Sequence, residues 1–491
     1  MRRPEMSYRS PMTSIVWFRQ DLRTRDNPAL AAASARGAVV PVFILDDTTS
    51  GSLWPLGGAS RWWLHHSLVA LRDDLGQLTL VKGAPSDLMP EVIRKVGASA
   101  VYWNRCYEPL AIARDKELKE TLQRLGVEVR SFNGSLLHEP WEVSTGSGSP
   151  FKVYTPFWRA SLGKPIASPT PAPKIVIDTS AALGDSLADW GLLPRDPNSA
   201  ADWKTLWQPG EAGALVRFDE FVENGLARYG ESRDRPDLQG TSRLSPHLHW
   251  GEISPRQIWA RLALEAEDPL KRGSTNKFLS EIGWREFAHH LLYYFPTLPE
   301  QNWRQTFDAY PWRDSADDFK AWQQGRTGYP LVDAGMRELW QTGWMHNRVR
   351  MITASFLVKH LRIDWRRGEA WFWDTLLDAN LANNAAGWQW VAGSGADASP
   401  YFRIFNPITQ GKRFDPNGDY VRRWCPELAR LPNEIIHEPF KAKPETLAQA
   451  GIKLGQTYPH PIVDHDQARR AALEGYSKVR GSRAVGPNAV S

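Results

Sequence analysis

A stretch rich in tryptophan and asparagine, residues 365–407, holds side chains suited to redox chemistry or to binding a flat ligand. It contains five of the 24 tryptophans in the chain. Tryptophan is seldom fully buried and asparagine favours turns over helix interiors, so a segment rich in both is unlike an ordinary core or surface. Because indole rings are electron-rich as well as flat, the composition indicates an aromatic-walled polar pocket.

The segment GTSRLSP, residues 240–246, concentrates groups that can hold phosphate. Thr241, Ser242 and Ser245 can donate to phosphate oxygens, and so can the free backbone N–H groups at the start of a following helix. A plain capped helix entry has the same composition, so both interpretations stay open.

Residues 276–290, NKFLSEIGWREFAHH, place Glu281, Trp284 and Arg285 within one helical turn. Glu281 and Arg285 are spaced so that they can form a surface ion pair worth roughly 0.3–0.5 kcal/mol. Alternatively, Glu281 faces a cavity beside Trp284, where it accepts a hydrogen bond from an imide or amide N–H of a ligand.

Residues 343–351, GWMHNRVRM, combine groups that can bind a nucleotide. Asn347 can pair with the edge of a base, Arg348 can hold a phosphate, and Met351 offers a soft apolar wall. For His346 the alternative is a core histidine satisfied by hydrogen bonds.

Residues 401–414, YFRIFNPITQGKRF, alternate aromatic and basic side chains, the basic ones being Arg403, Lys412 and Arg413. Such alternation fits single-stranded or flipped-out nucleic acid, because bases stack on rings while cations hold phosphates. A solvated charged loop is the equally open alternative.

The composition limits the class of protein. With 491 residues the chain is too long for one core, so two or three domains are expected. Hydrophobic content of 42% and charged content of 23% are typical of a soluble globular protein, and no apolar run is long enough for a transmembrane helix. The net charge of +5 permits a polyanionic partner without requiring one. Cys106 and Cys425 form no C-x-x-C motif, which favours a reducing cytosol and argues against a zinc site.

The elements that must position these groups follow from hydrophobic periodicity. Short apolar runs alternate with helical patterns over residues 13–140, which predicts an α/β domain with a doubly wound parallel sheet. The predicted strands are Ser14–Phe18, Ala38–Leu45, Leu78–Val81, Ala98–Trp103 and Val127–Phe132. A connector rich in Pro, Ser and Gly is predicted over 141–205, and a larger all-α domain over 206–480.

Several blocks of sequence occur together in one order and resemble the photolyase/cryptochrome family. They are WFRQDLRTRDNPAL, GTSRLSP, EIGWREF, TGYPLVDAGMRELWQTGWMHNRVRMITASFLVK and WQWVAGSGADASPYFRIFNP, spread over roughly residues 14–440. Within the family the chain looks most like bacterial cyclobutane pyrimidine dimer photolyases of class III or class I. The resemblance implies FAD held in a U shape in the helical domain, and UV-damaged DNA as the partner.

The resemblance also implies a set of flavin-binding residues. Arg350 and Asp378 would form an ion pair beside the isoalloxazine ring, and Asn384 would face flavin N5. A neutral amide does not readily protonate an anionic flavin, which suits an enzyme that keeps FAD reduced and anionic. Asn380 is a departure, since many family members carry Asp there. The full set is Tyr229, Thr241, Ser242, Arg243, Leu244, Ser245, Phe278, Glu281, Arg285, Arg350, Asp378, Asn380 and Asn384.

A lesion site is implied by the same resemblance. Glu281 would hydrogen-bond the 5′ base of the dimer, and Trp284 and Trp390 would stack on the flipped dinucleotide. Asn347 and Met351 match enzymes that act on cyclobutane dimers, because photolyases for (6-4) photoproducts have histidines at both places. The residues implied to bind DNA phosphates are Arg233, Arg348, Arg403, Lys412 and Arg413.

Three tryptophans match the electron-transfer chain of the family, with Trp388 nearest the flavin, Trp365 in the middle and Trp312 at the surface. In the implied mechanism, excited reduced FAD gives an electron to the dimer, the ring splits, and the electron returns. The cofactor carries this chemistry, while the protein flips and positions a lesion whose pairing is already weakened. A cryptochrome-type blue-light photoreceptor without repair activity is the alternative.

The antenna chromophore has more than one candidate. Bacterial folate-binding members carry an Asn-Glu pair in the loop after the fourth strand, where this chain has Leu110 and Ala111. However, GGASRWWLHHSL resembles class III photolyases, which bind methenyltetrahydrofolate in a differently built site. We expect this folate, with 8-hydroxy-5-deazaflavin or no antenna as alternatives; Trp62 and Trp63 either line that pocket or pack in the core. A metal-free monomer in the cytoplasm, associated with the nucleoid when bound to DNA, is expected.

Overall fold

A five-stranded parallel β-sheet forms the N-terminal region. The computed structural model describes residues 12–47, 54–179, 184–194, 202–398 and 402–481. The strands pair in the order β3-β2-β1-β4-β5, and they are β1 (Ser14–Phe18), β2 (Val39–Leu45), β3 (Thr79–Lys82), β4 (Ala100–Asn104) and β5 (Glu128–Phe132). All five strand predictions are confirmed to within two residues, because a buried parallel strand is a short, continuous apolar run.

Helices cover both faces of this sheet. The first two pack on one face and the next two on the other: α1 (Pro28–Arg36), α2 (Gly58–Leu75), α3 (Pro85–Val96) and α4 (Pro109–Arg124). Asn27 begins α1, since its Oδ1 accepts a hydrogen bond from the backbone N–H of Leu30 at 3.0 Å, with Pro28 in the first turn. The predicted doubly wound α/β fold is confirmed.

The stretch predicted as a connector contains a helix that the composition did not indicate. This helix, α5 (Tyr154–Leu162), packs its buried Tyr154 and Phe157 against the longest helix of the chain's described part, whose bounds are Pro269–Tyr294. Turn-forming residues on either side of α5 masked a nine-residue segment that tertiary packing stabilises.

The rest of the chain is helical, as predicted. A π-helical turn, Phe356–His360, continues directly from α14. The helices are α6 (Trp203–Leu206), α7 (Glu211–Asn224), α8 (Tyr229–Ser232), α9 (Ser245–His249), α10 (Pro255–Glu265), α11 (Pro269–Tyr294), α12 (Ala316–Gln323), α13 (Pro330–Thr342), α14 (Asn347–Ser355), α15 (Trp365–Thr375), α16 (Leu381–Ala392), α17 (Pro407–Phe414), α18 (Asp419–Trp424), α19 (Pro444–Ala450) and α20 (His465–Gly481).

The loop after β1 fastens the sheet to the helical region. Arg23 is fully buried and donates to the backbone carbonyls of Gly134 (2.6 Å) and Gly251 (2.8 Å). Asp26 accepts from Ser254 Oγ at 2.6 Å and from Arg256 Nε at 3.0 Å. Because a buried polar group without partners is costly, these reciprocal bonds fix how the sheet and the helical region are joined.

Among the described residues, no helix is both long and apolar enough to cross a membrane. In the same parts of the chain, no group of three or more His, Cys, Asp or Glu side chains is arranged to hold a metal ion.

Candidate cofactor and nucleic-acid site

Arg350 and Asp378 form a two-pronged ion pair. Arg350, on α14, donates to both carboxylate oxygens of Asp378 at 3.0 and 2.8 Å, and its Nε donates to the backbone carbonyl of Met345 at 2.7 Å. The Asp378 side chain is 4% exposed and that of Arg350 is 23% exposed. A bidentate pair of this kind fixes the orientation of the guanidinium. The ion pair inferred from the resemblance is therefore present, and its contact with a flavin stays a prediction.

The GTSRLSP loop has the strained backbone of a binding loop. Arg243 has a positive φ of 50°, a conformation that a residue with a long side chain seldom adopts. Ser242 Oγ accepts from the backbone N–H of Leu244 at 3.4 Å, and Ser245 Oγ accepts from Trp344 Nε1 at 3.3 Å. The following helix, α9, has only five residues. Because the dipole of so short a helix is small, the hydroxyl groups are the main candidate donors to phosphate in this loop. The loop is thus more than a regular helix entry in its backbone, and phosphate binding by its hydroxyl groups stays a prediction.

Tyr229 and Phe278 lie on the other side of this region. Both side chains are buried, and their ring centroids are 5.1 Å apart at an edge-to-face angle. They pack with Leu244 in one hydrophobic cluster, which joins the GTSRLSP loop to α8 and α11. Three of the predicted flavin residues are thus brought together, although they are distant in sequence.

Glu281 does not pair with Arg285, so the surface ion-pair interpretation is wrong. Glu281 pairs with Arg233, and Lys277 Nζ lies 3.6 Å from its carboxylate. Arg285 is directed elsewhere, donating to the backbone carbonyl of Ser135 at 2.8 Å and to Glu286 at 3.1 Å. The two residues have the spacing of a helical ion pair, but Glu281 binds Arg233 and Arg285 binds Ser135, both of which lie outside α11.

Asp234 links the arginines that were predicted to bind DNA. Its carboxylate lies 2.9 Å from Arg348 NH2 and 3.6 Å from Arg233 Nε. Together with the Arg233–Glu281 pair and the contact of Arg348 with Met351 Sδ at 3.8 Å, this gives a continuous chain of contacts from α11 to α14. Nothing in the sequence singled out Asp234, because its role depends on contacts between separate helices.

The other predicted DNA-binding cations have aromatic or acidic partners of their own. Arg348 and Arg413 both lie over the ring of Phe414, at 4.6 and 5.0 Å from its centroid. Arg403 lies 5.9 Å from the ring of Trp390. Lys412 is half exposed and pairs with Glu438, so it must leave an acidic partner before it can hold a phosphate.

Trp284 is held from one side by Tyr154 of α5. The two rings are stacked with centroids 3.8 Å apart and planes 9° from parallel. Tyr154 is itself fixed, since its hydroxyl donates to the backbone carbonyl of Ser280 at 2.6 Å. Because one ring face is covered, Trp284 can stack on a base only with the other, and 37% of its surface remains exposed for that contact.

Replacing Tyr154 with Leu should weaken dark binding of dimer-containing DNA. An aromatic pair contributes about 0.5–1.5 kcal/mol beyond buried area, so we expect up to about tenfold lower affinity. The Tyr154→Phe variant keeps the ring and should bind almost normally. Titration of a labelled oligonucleotide with and without the dimer measures both variants, and equal affinities for the Leu and Phe variants would refute the role of stacking.

Asn347 and Met351 occupy the start of α14. Asn347 is exposed and Met351 is half-buried. His346 caps this helix: its Nδ1 accepts from the backbone N–H of Arg348 at 3.1 Å, and its side chain is buried. His346 is thus a core histidine, but the alternative is only half right, because its Nε2 has no hydrogen-bond partner among the described residues.

Burial lowers the pKa of His346 to about 4, below the ordinary value of 6.5. The neutral folded state therefore has its full stability above pH 6.5 and loses stability as the pH falls towards 4. Replacing His346 with Asn keeps a capping side chain but removes the titrating group. Between pH 6.5 and pH 4, the unfolding free energy of the variant should therefore fall less steeply with pH than that of the wild type, by about 1.4 kcal/mol per pH unit. Urea unfolding at several pH values tests this, with the exposed His460→Asn as control; an unchanged slope would contradict it.

Asn380 and Asn384 have different roles at the start of α16. Asn380 caps the helix, as its Oδ1 accepts from the backbone N–H of Asn383 at 3.1 Å, and its Nδ2 lies 3.5 Å from His289. Asp is an equally good cap, so the family's usual residue and Asn are both compatible with this helix. Asn384 donates from Nδ2 to the backbone carbonyl of Glu369 at 3.0 Å.

The three tryptophans of the predicted electron path belong to one hydrophobic cluster. Trp388 and Trp365 are buried, and Trp312 is half-buried at its edge. Trp365 donates from Nε1 to Asn302 Oδ1 at 2.9 Å. Gly368 of α15 makes room for Trp388, because a Cβ there would overlap the indole ring. Trp312 is the most exposed of the three, whereas Trp388 and Trp365 are both buried, so the order of these two in the path and electron transfer itself stay predictions.

A small cavity lies between the sheet and the helical region. It is bordered by Gln20 after β1 and by residues 105–108 after β4, and on the other side by His249, Arg285 and Asn380. Strand order reverses between β1 and β4, and ligands of open α/β sheets bind at such a point. The cavity thus connects two predicted flavin residues with the carboxyl ends of the strands.

Buried polar atoms show whether this region suits FAD. Within the described parts of the chain, His249 Nδ1, Arg348 Nε and both carboxylate oxygens of Glu369 have no hydrogen-bond partner. Buried polar groups without partners are rare in a finished core. The unpartnered nitrogen of His249, which borders the cavity, fits a large ligand with a polar ring, and the hydroxyl-rich loop fits its phosphates.

Trp62 and Trp63 are core residues. Trp63 is fully buried and donates from Nε1 to Glu252 at 3.0 Å, while Trp62 packs edge-to-face on Trp203 at 5.3 Å. The core alternative is therefore the one that the structure supports for this pair.

Comparisons with known proteins agree with the geometry. Residues 14–174 match the DNA photolyase family, and residues 278–478 match the FAD binding domain of DNA photolyase. A deoxyribodipyrimidine photo-lyase of Agrobacterium fabrum is 52% identical over 95% of this chain and 98% of that protein. Cryptochrome-1 of Arabidopsis thaliana is 42% identical over 95% of this chain and 70% of that protein. The crystal structure of a class III photolyase from Agrobacterium tumefaciens superposes with a TM-score of 0.92 at 51% identity, covering 98% of this chain and 100% of that one. The chain belongs to the photolyase/cryptochrome family.

Proposed function

We propose that this protein repairs DNA in light by splitting cyclobutane pyrimidine dimers, as a deoxyribodipyrimidine photolyase. The observation that supports the proposal is the unbroken chain of contacts Glu281–Arg233–Asp234–Arg348–Met351, which joins residues of α11 and α14 that are predicted to contact the lesion. It lies beside Asn347, where a histidine acid for (6-4) photoproducts is absent from the sequence.

Different residues of this chain would bind the phosphates and the bases of the damaged DNA. Arg233, Arg348 and Arg403 would hold the phosphates around the lesion, after Arg233 and Arg348 release Asp234. Glu281 would exchange Arg233 for the 5′ base of the dimer, and Trp284 and Trp390 would stack on the flipped bases. Flipping is cheapest where pairing is already weakened, which favours the lesion over intact DNA.

FAD, when bound and reduced, supplies the photochemical electron that splits the dimer. Arg350 and Asp378 would orient its ring, the hydroxyls of Thr241, Ser242 and Ser245 would hold its phosphates, and Tyr229 and Phe278 would exclude water. Trp388, Trp365 and Trp312 would pass electrons inward when the flavin is oxidised.

A repair assay tests the proposal. The protein with chemically reduced FAD is mixed with UV-damaged oligothymidine and illuminated with blue light. We expect thymine absorbance to recover in the light and not in the dark. Failure to recover with fully reduced protein would refute the proposal, and would favour a photoreceptor. The match to Cryptochrome-1 supports that second candidate, whereas Asn384, a neutral amide, argues against it.

For the antenna we propose methenyltetrahydrofolate, with 8-hydroxy-5-deazaflavin as the alternative. The likeness to the class III photolyase of Agrobacterium tumefaciens supports the folate. Mass spectrometry of the small molecules released from the purified protein distinguishes the two compounds. We also propose that the protein acts as a monomer in the cytoplasm, bound to the nucleoid during repair, which native mass and fluorescence imaging would test.

A further inference from the structure

Glu369 is a buried acid that the proposed function does not use. It lies on α15, its side chain is fully buried, and neither carboxylate oxygen has a hydrogen-bond partner among the residues that the structure describes. It is also the one acidic or basic residue on the buried face of α15, whose other members are Trp365, Gly368, Phe372 and Thr375. An ionised carboxylate in such a place is very costly, so the group holds its proton.

The position of Glu369 connects it with the predicted flavin site. Its backbone carbonyl accepts the amide of Asn384 at 3.0 Å. The neighbouring Gly368 lies against the ring of Trp388. Asn384 and Trp388 are separated by one turn of α16, so both lie on the face that α15 covers. Glu369 therefore contacts, through its backbone, the residue predicted to face flavin N5, and its neighbour Gly368 contacts the first indole of the predicted electron path.

The charges around Glu369 favour its protonated form. Burial raises the pKa of its carboxyl well above the usual range; Arg366 opposes this effect, and Asp364 and Glu300 reinforce it. Arg366 is nevertheless the cation that would stabilise a carboxylate formed for a short time. Glu369 can thus store a proton and release it once.

The active cofactor requires a proton that Asn384 cannot give. Conversion of oxidised FAD to its reduced anion takes two electrons and one proton, and an amide has no proton to lose at neutral pH. We propose that Glu369 supplies this proton to flavin N5. This inference rests on the proposed function, since it assumes that FAD is bound with N5 facing Asn384.

The proton and the two electrons reach the flavin from different groups. The O–H bond of the Glu369 carboxyl breaks and an N–H bond forms at N5, directly or through one water. The two electrons arrive along Trp388, Trp365 and Trp312 in two light-driven events, and an external thiol reduces each oxidised indole. Glu369 is left as a carboxylate and takes up a proton from solvent.

Three proteins test the proposal: the wild type, Glu369→Gln, and the matched control Glu445→Gln, which makes the same change on the exposed side of α19. Each carries oxidised FAD and is illuminated with a thiol. The visible spectrum reports whether N5 has gained a proton, and infrared difference spectroscopy reports the carbonyl band of a protonated carboxyl. We expect the wild type and the control to gain the N5 proton while that band disappears transiently, and Glu369→Gln to do so roughly 100-fold more slowly.

Protonation of N5 at the wild-type rate in Glu369→Gln would overturn the proposal. So would a wild-type carboxyl band that does not change on illumination, a measurement that remains decisive if the variant fails to retain flavin. After chemical reduction the N5 proton is already present, so all three proteins should split dimers equally. If chemically reduced wild type splits none, the proposed repair function fails, whereas the infrared result still decides the role of Glu369.

Discussion

Asp378→Asn is expected to release most of the FAD from the protein. The change leaves the Arg350 guanidinium facing a neutral amide in a largely buried place, and breaking one side of such a pair costs about 2 to 4 kcal/mol. Arg350 would then lose the orientation that its two bonds to Asp378 impose. The same free energy, applied to the binding of FAD, corresponds to a loss of affinity on the order of 30- to 700-fold.

Flavin fluorescence titration of the apoprotein measures this effect. The matched control is Asp364→Asn, which makes the same substitution at a more exposed carboxylate that pairs with Arg366 and caps α15. Because Asn is also a good cap, the control should keep its FAD. Equal affinities for the two variants would show that the Arg350–Asp378 pair does not orient the flavin.

Trp388→Phe is expected to abolish light-driven reduction of oxidised FAD while leaving the fold intact. Phenylalanine fills most of the same space beside Phe372, whose ring centroid is 4.9 Å away, but its ring is much harder to oxidise than an indole. Time-resolved absorption of the illuminated variant tests this. The variant should still split dimers after chemical reduction, because that route bypasses the tryptophans.

The control for this variant is Trp371→Phe, on the same helix as Trp365. Trp371 stacks on Trp340 near the surface, with ring planes 4° from parallel, and has no predicted part in the electron path. It should reduce its flavin at the wild-type rate. Normal photoreduction in Trp388→Phe would mean that electrons reach the flavin by another path.

The sequence was most informative where local pattern determines structure. The five strands are runs of buried apolar residues, so their bounds were accurate to two residues. Arg350 and Asp378 were paired through the family resemblance, and the structure has that pair. In contrast, the sequence pattern did not indicate that the turn after α14, Phe356–His360, is π-helical.

The sequence was least informative where partners come from distant elements. Glu281 and Arg285 have the spacing of a helical ion pair, yet Arg233 and Ser135 take their places. Likewise, Tyr154 lies in a segment that looks like a linker, and its stacking on Trp284 depends on α5 docking against α11. Single-chain periodicity carries no information on which surfaces meet, so such contacts could not be predicted.

The hydrogen bonds of the buried Arg23 and Asp26 couple the unfolding of the sheet to the unfolding of the helical region. The bonds of Arg23 to Gly251 and of Asp26 to Ser254 and Arg256 would be broken if either part unfolded alone, leaving a guanidinium and a carboxylate without these partners. The molecule should therefore melt in a single cooperative transition. An N-terminal α/β region from another protein could be grafted onto this helical region only if it brought the same arginine and aspartate with it.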